Sequence, residues 1–186
     1  MALRKMSSKM RQFLIASAVW VMAGELAWSG NDYLNPAAIV SPQKEVLCSQ
    51  VDDHRLAIGA SCVASIKADI SENAVGLHLQ GGNEYIVSVD GEQAWYDASH
   101  KHIPPQGDSG TLLMNLFALL KKNREADWFA LIAEIKGTNK CHLHDLSKSS
   151  NLLAEEDGSL VLYANDARGF YWNNHGEITV IISRKK

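Results

Sequence analysis

The feature that most constrains the fold is a series of short apolar or alternating segments separated by turns rich in glycine, asparagine and aspartate. Five of them lie between residue 62 and the carboxy terminus: CVASIKADI, AVGLHLQ, EYIVSVDG, SLVLYAND and GEITVIIS. Side chains two residues apart share one face of a strand, so this alternation is typical of strands with a buried face. Several short strands of this kind predict an all-β fold, either an antiparallel sandwich or a barrel.

One segment has a competing pattern. TLLMNLFALLKKNREADWFALIAEIK, residues 111–136, has leucines spaced for a helical face, and this spacing predicts a helix over residues 111–122. NREAD can instead turn the chain, and WFALIAEIK suits a buried strand. We therefore expect the helix to give way to a strand pair, FALLK and WFALIAEIK, although a short helix before Leu116 is compatible with this interpretation.

The composition indicates one globular domain with extra segments. The chain has 186 residues, of which 46% are hydrophobic and 21% are charged, as in a folded domain with about 30 to 60 additional residues. A formal charge of −3, with scattered basic residues, argues against a nucleic-acid partner. The sequence contains no Gly-x-Ser-x-Gly, paired-carboxylate or phosphate-loop motif, so we predict that the protein is not an enzyme.

The amino terminus has the pattern of a secretory signal. MALRKMSSKMRQ carries four basic residues and no acid, and it precedes FLIASAVWVMAG, an apolar run too short to span a bilayer. We predict a signal peptide at 1–29, an irregular lead-in at 30–62 and the main domain at 63–186. The mature protein is then expected in the periplasm or outside the cell, with no membrane span. The alternative is an uncleaved amphipathic or core helix.

Three cysteines are compatible with an oxidising destination. Cys48 and Cys62 are the natural pair, because a disulfide between them would close a loop of about 15 residues and stabilise the fold by roughly 3 kcal/mol. Cys141 would then remain as a thiol. The alternative is that all three are buried, reduced thiols.

The stretch YANDARGFYWNNHG, residues 163–176, lies between the last two apolar segments. It resembles the loop N-D-x-x-G-x-Y-x-N-N-x-G of the bacterial galactose-specific lectins of the PA-I type and of related galactose-binding-like domains. Every fixed position is present: Asn165, Asp166, Gly169, Tyr171, Asn173, Asn174 and Gly176. EYIVSVDGEQAWYD and PPQGD extend the resemblance more faintly, so that it covers about residues 65 to 186. It implies an antiparallel β-sandwich of the jelly-roll, galactose-binding-like type.

The resemblance also implies a calcium site in this loop. Asp166, Asn173 and Asn174 would supply side-chain oxygens, and backbone carbonyls near Asp97 or Ala98 and at Phe170 would complete the shell. Calcium prefers about 6 to 8 hard oxygen ligands, and amide oxygens serve beside carboxylates. The family commonly has a hydroxyl-bearing residue at position 170, so Phe170 removes one side-chain oxygen. Ordinary metal-free turns are the alternative, because Asn, Asp and Gly are favoured in turns.

Carbohydrate binding is the function that the resemblance implies, since calcium in these lectins also coordinates sugar hydroxyls. Galactose specificity does not carry over, because the family's His/Gln pair is missing near PPQGD. Trp95, Tyr96 and Trp172 are candidate ligand-binding residues that can stack on a sugar face, or they cover the core. We expect a calcium-dependent carbohydrate-binding module. The alternative is a protein-binding module (an inhibitor, immunity or envelope-assembly partner) with calcium structural or absent.

Overall fold

The computed structural model of the protein describes residues 45–98 and 100–186. The predicted signal peptide and the first part of the predicted lead-in lie outside the described residues. The strands, numbered in chain order, are β1 (Ser61–Lys67), β2 (Asn73–Leu79), β3 (Glu84–Val89), β4 (Trp95–Asp97), β5 (His100–Ile103), β6 (Leu131–Gly137), β7 (Cys141–Asp145), β8 (Asn151–Leu153), β9 (Gly158–Ala164), β10 (Asn174–His175) and β11 (Glu177–Arg184). A five-residue helix, α1 (Leu112–Leu116), and several single 3-10 turns complete the described secondary structure.

Two four-stranded antiparallel sheets form the body of the fold. The first has the strand order β1-β11-β3-β8 and the second has the order β2-β9-β6-β7. Core-facing side chains of both sheets belong to one apolar cluster, which includes Ile66, Val87 and Ile182 from the first sheet and Leu77, Ile135 and Leu162 from the second. The predicted all-β antiparallel sandwich is therefore confirmed, and the five alternating segments form β1, β2, β3, β9 and β11.

The alternation is clearest in β2 and β11, where every second side chain is buried against the opposite sheet. In contrast, β6 and β9 are buried on both faces. On their outer face, Ile132 of β6 and Val161 and Tyr163 of β9 form a second, smaller apolar cluster with Ala126 and Ala130, which precede β6. The chain between α1 and β6 thus folds across the outside of the second sheet.

Residues 111–136 differ from the prediction in their first half. Thr111 caps α1 by accepting a hydrogen bond at its Oγ1 from the Met114 N–H at 3.2 Å. A 3-10 turn follows at Ala118–Leu120. The predicted strand FALLK is therefore wrong, whereas the strand predicted in WFALIAEIK is present as β6.

The physical reason for this difference lies in where the leucines point. They are spaced for a helical face but are exposed to solvent, so burial does not draw them into a sheet. Among the described residues, the only strand-like pairing of FALLK is an isolated bridge between Lys121 and Ala167. A strand needs a neighbour along its length, and this segment has one at a single residue.

A disulfide joins Cys48 to Cys62, as predicted. It ties the 3-10 turn Cys48–Gln50 to the start of β1, and both half-cystines lie in the core cluster. Cys141 is an exposed free thiol at the start of β7. In the part of the chain that the structure describes, no helix has the length and apolar character needed to cross a membrane.

A small third sheet positions the candidate site. Its strand order is β10-β4-β5, and β10 lies near the end of the loop that resembles the lectin motif. Pairing of β10 with β4 places Asn174 opposite Asp97 and His175 opposite Tyr96. The end of β9 and this small sheet therefore bring together residues that lie far apart in the sequence.

Candidate functional site

Asp166 lies two residues after the end of β9 and is 5% exposed. Its Oδ1 accepts a hydrogen bond from the Ala167 N–H at 2.6 Å, and its Oδ2 accepts one from Asn174 Nδ2 at 2.8 Å. The buried Tyr171 hydroxyl, which donates to the Ala164 carbonyl at 2.9 Å, closes the loop beneath it. The carboxylate is thus fixed inside the protein and does not project from the turn.

The β4–β10 pairing brings a second carboxylate to the same place. Asn173 Nδ2 donates to Asp97 Oδ1 at 2.8 Å, and the Ala98 N–H donates to the Asn173 carbonyl at 2.9 Å. Ala98 has a positive φ of 48°, a conformation that is costly for alanine and that is often found beside functional sites. The turn after β4 is therefore held against the motif loop.

The amide groups of Asn173 and Asn174 are only half satisfied. Asn174 Nδ2 donates to Asp166 Oδ2 and, at 3.3 Å, to the Ala68 carbonyl. Both partners are acceptors, so they fix the amide orientation. The oxygens Asn173 Oδ1 and Asn174 Oδ1 are buried and accept no hydrogen bond from any described residue. Since buried polar atoms are nearly always paired, two unpaired oxygens in adjacent residues need an explanation.

Within the described part of the chain, the carboxylates of the site also lack a positively charged partner. No lysine, arginine or histidine among the described residues forms a salt bridge with Asp97 or Asp166. Burial raises the pKa of Asp166, the charge of Asp97 adds to this effect, and the hydrogen bonds from Asn174 and Ala167 oppose it. A buried carboxylate without a positive partner is costly, and a cation would remove that cost.

These groups fit a hard cation. Two carboxylates and two unpaired amide oxygens offer only oxygen, which suits calcium and not a soft metal. No cluster of three or more His, Cys, Asp or Glu side chains occurs within residues 45–98 and 100–186, so the amide oxygens are essential to this set. The Phe170 carbonyl accepts a 3.3 Å hydrogen bond from the Asn173 N–H, which leaves one lone pair for a second partner.

Beside these oxygens is a cavity of about 170 Å³. Asp97, Asp166 and Asn173 form its polar side. Its apolar side consists of Leu113, Met114, Phe117, Trp128, Ala167 and Phe170. A cavity of this size is smaller than the roughly 300 to 1,000 Å³ of sites for drug-sized molecules, so it suits a small group with one polar and one apolar face.

The three aromatic residues predicted to bind a ligand lie in different environments. Trp95 is fully buried, and its Nε1 donates to the Phe129 carbonyl at 2.9 Å. Its ring therefore has no face for a ligand, and of the two alternatives for Trp95 the structure agrees with a role in covering the core. Tyr96 is partly exposed and stacks on His175 at a centroid distance of 5.0 Å. Trp172 is exposed, and neither Tyr96 nor Trp172 lines the cavity.

No family model matches the chain, and no curated protein matches it. Among solved structures, the chain is similar to the EclA N-terminal domain, described as a PllA-like lectin. The identity is 16%, the TM-score is 0.44, and the match covers 66% of this chain and 94% of the other.

Sequence reasoning missed several residues of the site. The Asp97 side chain, Phe117 and Trp128 were not predicted to lie there, yet each lines the cavity. Phe117 follows α1, and Trp128 precedes β6. Their convergence depends on how the chain between α1 and β6 folds over the second sheet, and no local motif encodes that. Asp97 had a usable signal, since it is an acidic residue at the turn from which a backbone ligand was expected.

Proposed function

We propose that this protein is a calcium-dependent carbohydrate-binding module. One observation carries the proposal: within the described residues, two buried amide oxygens have no hydrogen-bond donor and lie beside a buried carboxylate that has no positive partner. A calcium ion would satisfy all three groups at once, because it accepts neutral and charged oxygen ligands together. A metal-free loop would leave the two described oxygens unpaired and the carboxylate charge uncompensated.

The proposed calcium ligands are the side chains of Asp166, Asn173 and Asn174 and the backbone carbonyls of Phe170 and Ala98. When bound, calcium would offer its remaining coordination positions to hydroxyl groups of a sugar. The protein's own residues hold these ligands in place: Tyr171 fixes the loop, and the β4–β10 pairing fixes the turn at Ala98.

The adjoining cavity supports a carbohydrate ligand. Sugars combine hydroxyl groups with an apolar ring face, and such faces pack on aromatic side chains. On the polar side, the Asp97 carboxylate can accept hydrogen bonds from sugar hydroxyl groups, and Phe117 and Phe170 provide the apolar side. The small volume suits a single terminal sugar ring better than a long chain.

Thermal melting with added calcium and glycan binding with and without a chelator test the proposal. Calcium at 100 times its dissociation constant should stabilise the wild type by about 2.7 kcal/mol, and glycan binding should be lost in chelator. Asp52→Asn, at an exposed site in a distant turn, is the matched control and should keep both properties. A wild type that melts identically with and without calcium would overturn the proposal.

A protein-binding module with structural calcium is the second candidate. Asp166 and Asn174 are almost completely buried, and such enclosure favours an ion that stabilises the loop. In that case calcium raises the melting temperature, no glycan binds, and a protein partner co-purifies in chelator. Both candidates include export by a signal peptide at residues 1–29, for which periplasmic or extracellular recovery of a shortened chain is the test.

A further inference from the structure

A group of large apolar side chains projects from one surface of the protein. Leu112 is 85% exposed, Leu116 is 72% exposed and Leu119 is 71% exposed. Five more exposed apolar side chains lie near these three in the sequence or in the fold: Leu113, Phe117, Leu120, Phe170 and Trp172. We call these eight residues the leucine ridge. Exposed apolar residues are normal when they are scattered singly, but a contiguous group indicates an interaction surface.

The ridge is continuous in space. Most of its residues belong to α1 and the 3-10 turn after it. The rings of Phe117 and Phe170 lie 6.1 Å apart, which joins the helix to the turn that carries Trp172. The ridge therefore spans two segments that are distant in sequence.

A basic groove of about 590 Å³ borders the ridge. Leu119, Leu120 and Leu143 line it together with Lys121, Lys122, Arg124 and Arg168, and Glu125 is its only acidic residue. Lys122 pairs with Glu72 and Glu134, and Lys121 Nζ donates to the Ala126 carbonyl. Within the described residues, the exposed Arg124 and Arg168 form no salt bridge and no side-chain hydrogen bond. The groove is thus locally positive in a chain whose formal net charge is −3.

We propose that the leucine ridge and the basic groove form a docking surface for an anionic lipid bilayer. The surface of such a bilayer has a layer of charged headgroups above the acyl chains. The aliphatic side chains and the tryptophan of the ridge can enter the boundary of the acyl chains, and the neighbouring arginines can contact the anionic headgroups. Tryptophan is also enriched at the level of the headgroups.

The shape of the ridge favours a bilayer over a protein partner. Leu112 and Leu116 protrude from the surface and line neither the cavity nor the groove, so a protein partner would need a matching cavity for each of them. A fluid bilayer accommodates protruding side chains without a preformed shape. This inference goes beyond the proposed function, and it does not require calcium or a sugar.

Vesicle sedimentation of the full chain tests the inference. Vesicles of equal parts phosphatidylglycerol and phosphatidylcholine are compared with vesicles of phosphatidylcholine alone, both in chelator. The wild type should sediment with the anionic vesicles and should be released as the salt concentration rises. Leu116→Ser combined with Leu119→Ser should weaken binding by about tenfold, and Arg124→Gln and Arg168→Gln should each weaken it by about fivefold.

Matched controls lie on another part of the surface. Ile58→Ser removes an exposed aliphatic side chain and Arg55→Gln removes an exposed arginine, both in the segment before β1. Binding of these two variants should equal that of the wild type. In addition, brominated lipid should quench the tryptophan fluorescence of the wild type more strongly than that of the Trp172→Phe variant, because Trp172 is the exposed tryptophan of the ridge.

Three results would overturn the inference. The first is wild-type binding that is equal on anionic and neutral vesicles. The second is binding that survives unchanged in the leucine and arginine variants, since it would then come from another part of the chain. The third is a dimer, formed without vesicles, that the leucine substitutions dissociate, because a second copy would then cover the ridge. None of these results depends on whether calcium binds.

Discussion

The motif loop contains two buried asparagines in opposite situations. Asn165 is 0% exposed and Asn174 is 5% exposed. Asn165 Oδ1 accepts from the Asn123 N–H at 2.9 Å, and its Nδ2 donates to the carbonyls of Asn123 and Asp127 at 2.8 and 2.9 Å. Asn174 uses only its nitrogen, which donates to Asp166, and its oxygen has no donor among the described residues.

This difference separates two roles that the same residue type can have in one loop. Asn165 is satisfied by protein alone, so it acts as a structural link between the motif loop and the segment that covers the second sheet. Asn174 keeps an acceptor free at a buried position beside a carboxylate, as expected of a ligand for a cation. Residue type and burial are equal in the two cases, and only the hydrogen-bond partners distinguish them.

The largest expected effect is on Asn165. Asn165→Ala removes every hydrogen bond of the side chain and leaves the Asn123 backbone groups unpaired, so the free energy of unfolding should fall by about 3 kcal/mol. The loss should be the same with and without calcium in chemical denaturation. The control is Asn151→Ala at an exposed position in β8, which should change stability by less than about 0.5 kcal/mol. If Asn165→Ala lowered the free energy of unfolding only in the presence of calcium, Asn165 would not differ from Asn174 in its role.

Asp166→Asn is expected to have the next largest effect, and only in the presence of calcium. The substitution removes the charge that calcium would pair with, so the calcium-dependent stabilisation of about 2.7 kcal/mol at 100 times the dissociation constant should disappear. Without calcium, stability should be unchanged or higher, because a neutral amide is less costly to bury than an unpaired carboxylate. Calorimetric melting measures both values. A variant that calcium still stabilises like the wild type would exclude Asp166 as a ligand.

Asn173→Ala should have a smaller effect on calcium binding. It removes one neutral oxygen and keeps Asp166 and Asn174, so the dissociation constant should rise by about tenfold, equivalent to about 1.4 kcal/mol. Isothermal titration calorimetry measures this change directly. An unchanged dissociation constant would mean that the unpaired Asn173 oxygen faces something other than the ion.

Phe170→Ala should have the smallest effect. Only the backbone carbonyl of residue 170 belongs to the proposed shell, and the side chain packs against Phe117 at the edge of the ridge. The dissociation constant for calcium should therefore stay within about twofold of the wild-type value. A large change in the same titration would show that the ring itself shapes the site.

The strands could be predicted from sequence because their pattern is local. In β2 and β11 the alternation of apolar and polar residues corresponds directly to buried and exposed side chains. The segment FALLK could not be predicted in the same way, because its leucines have the spacing of a buried face but remain exposed. A pattern of apolar residues does not show whether the rest of the fold supplies a cover.

The candidate site was only partly accessible from sequence. The resemblance of one loop to the lectin motif pointed to one side of it, because Asp166, Asn173 and Asn174 all lie in that loop. The Asp97 side chain comes from β4 and is brought there by pairing with β10, which no short motif specifies. From its residue type, Trp95 could either stack on a ligand or cover the core, and its 2.9 Å hydrogen bond to the Phe129 carbonyl fixes it in the core.

The most direct test of the proposed calcium site is a crystal structure of the protein from crystals grown with calcium. We expect anomalous density for one ion, with oxygens of Asp166, Asn173 and Asn174 at about 2.3 to 2.6 Å. Asn165 should keep its present hydrogen bonds. If calcium is abundant in the crystals but the Asn173 and Asn174 oxygens contact only protein or water, these residues do not bind calcium and the proposed site is wrong.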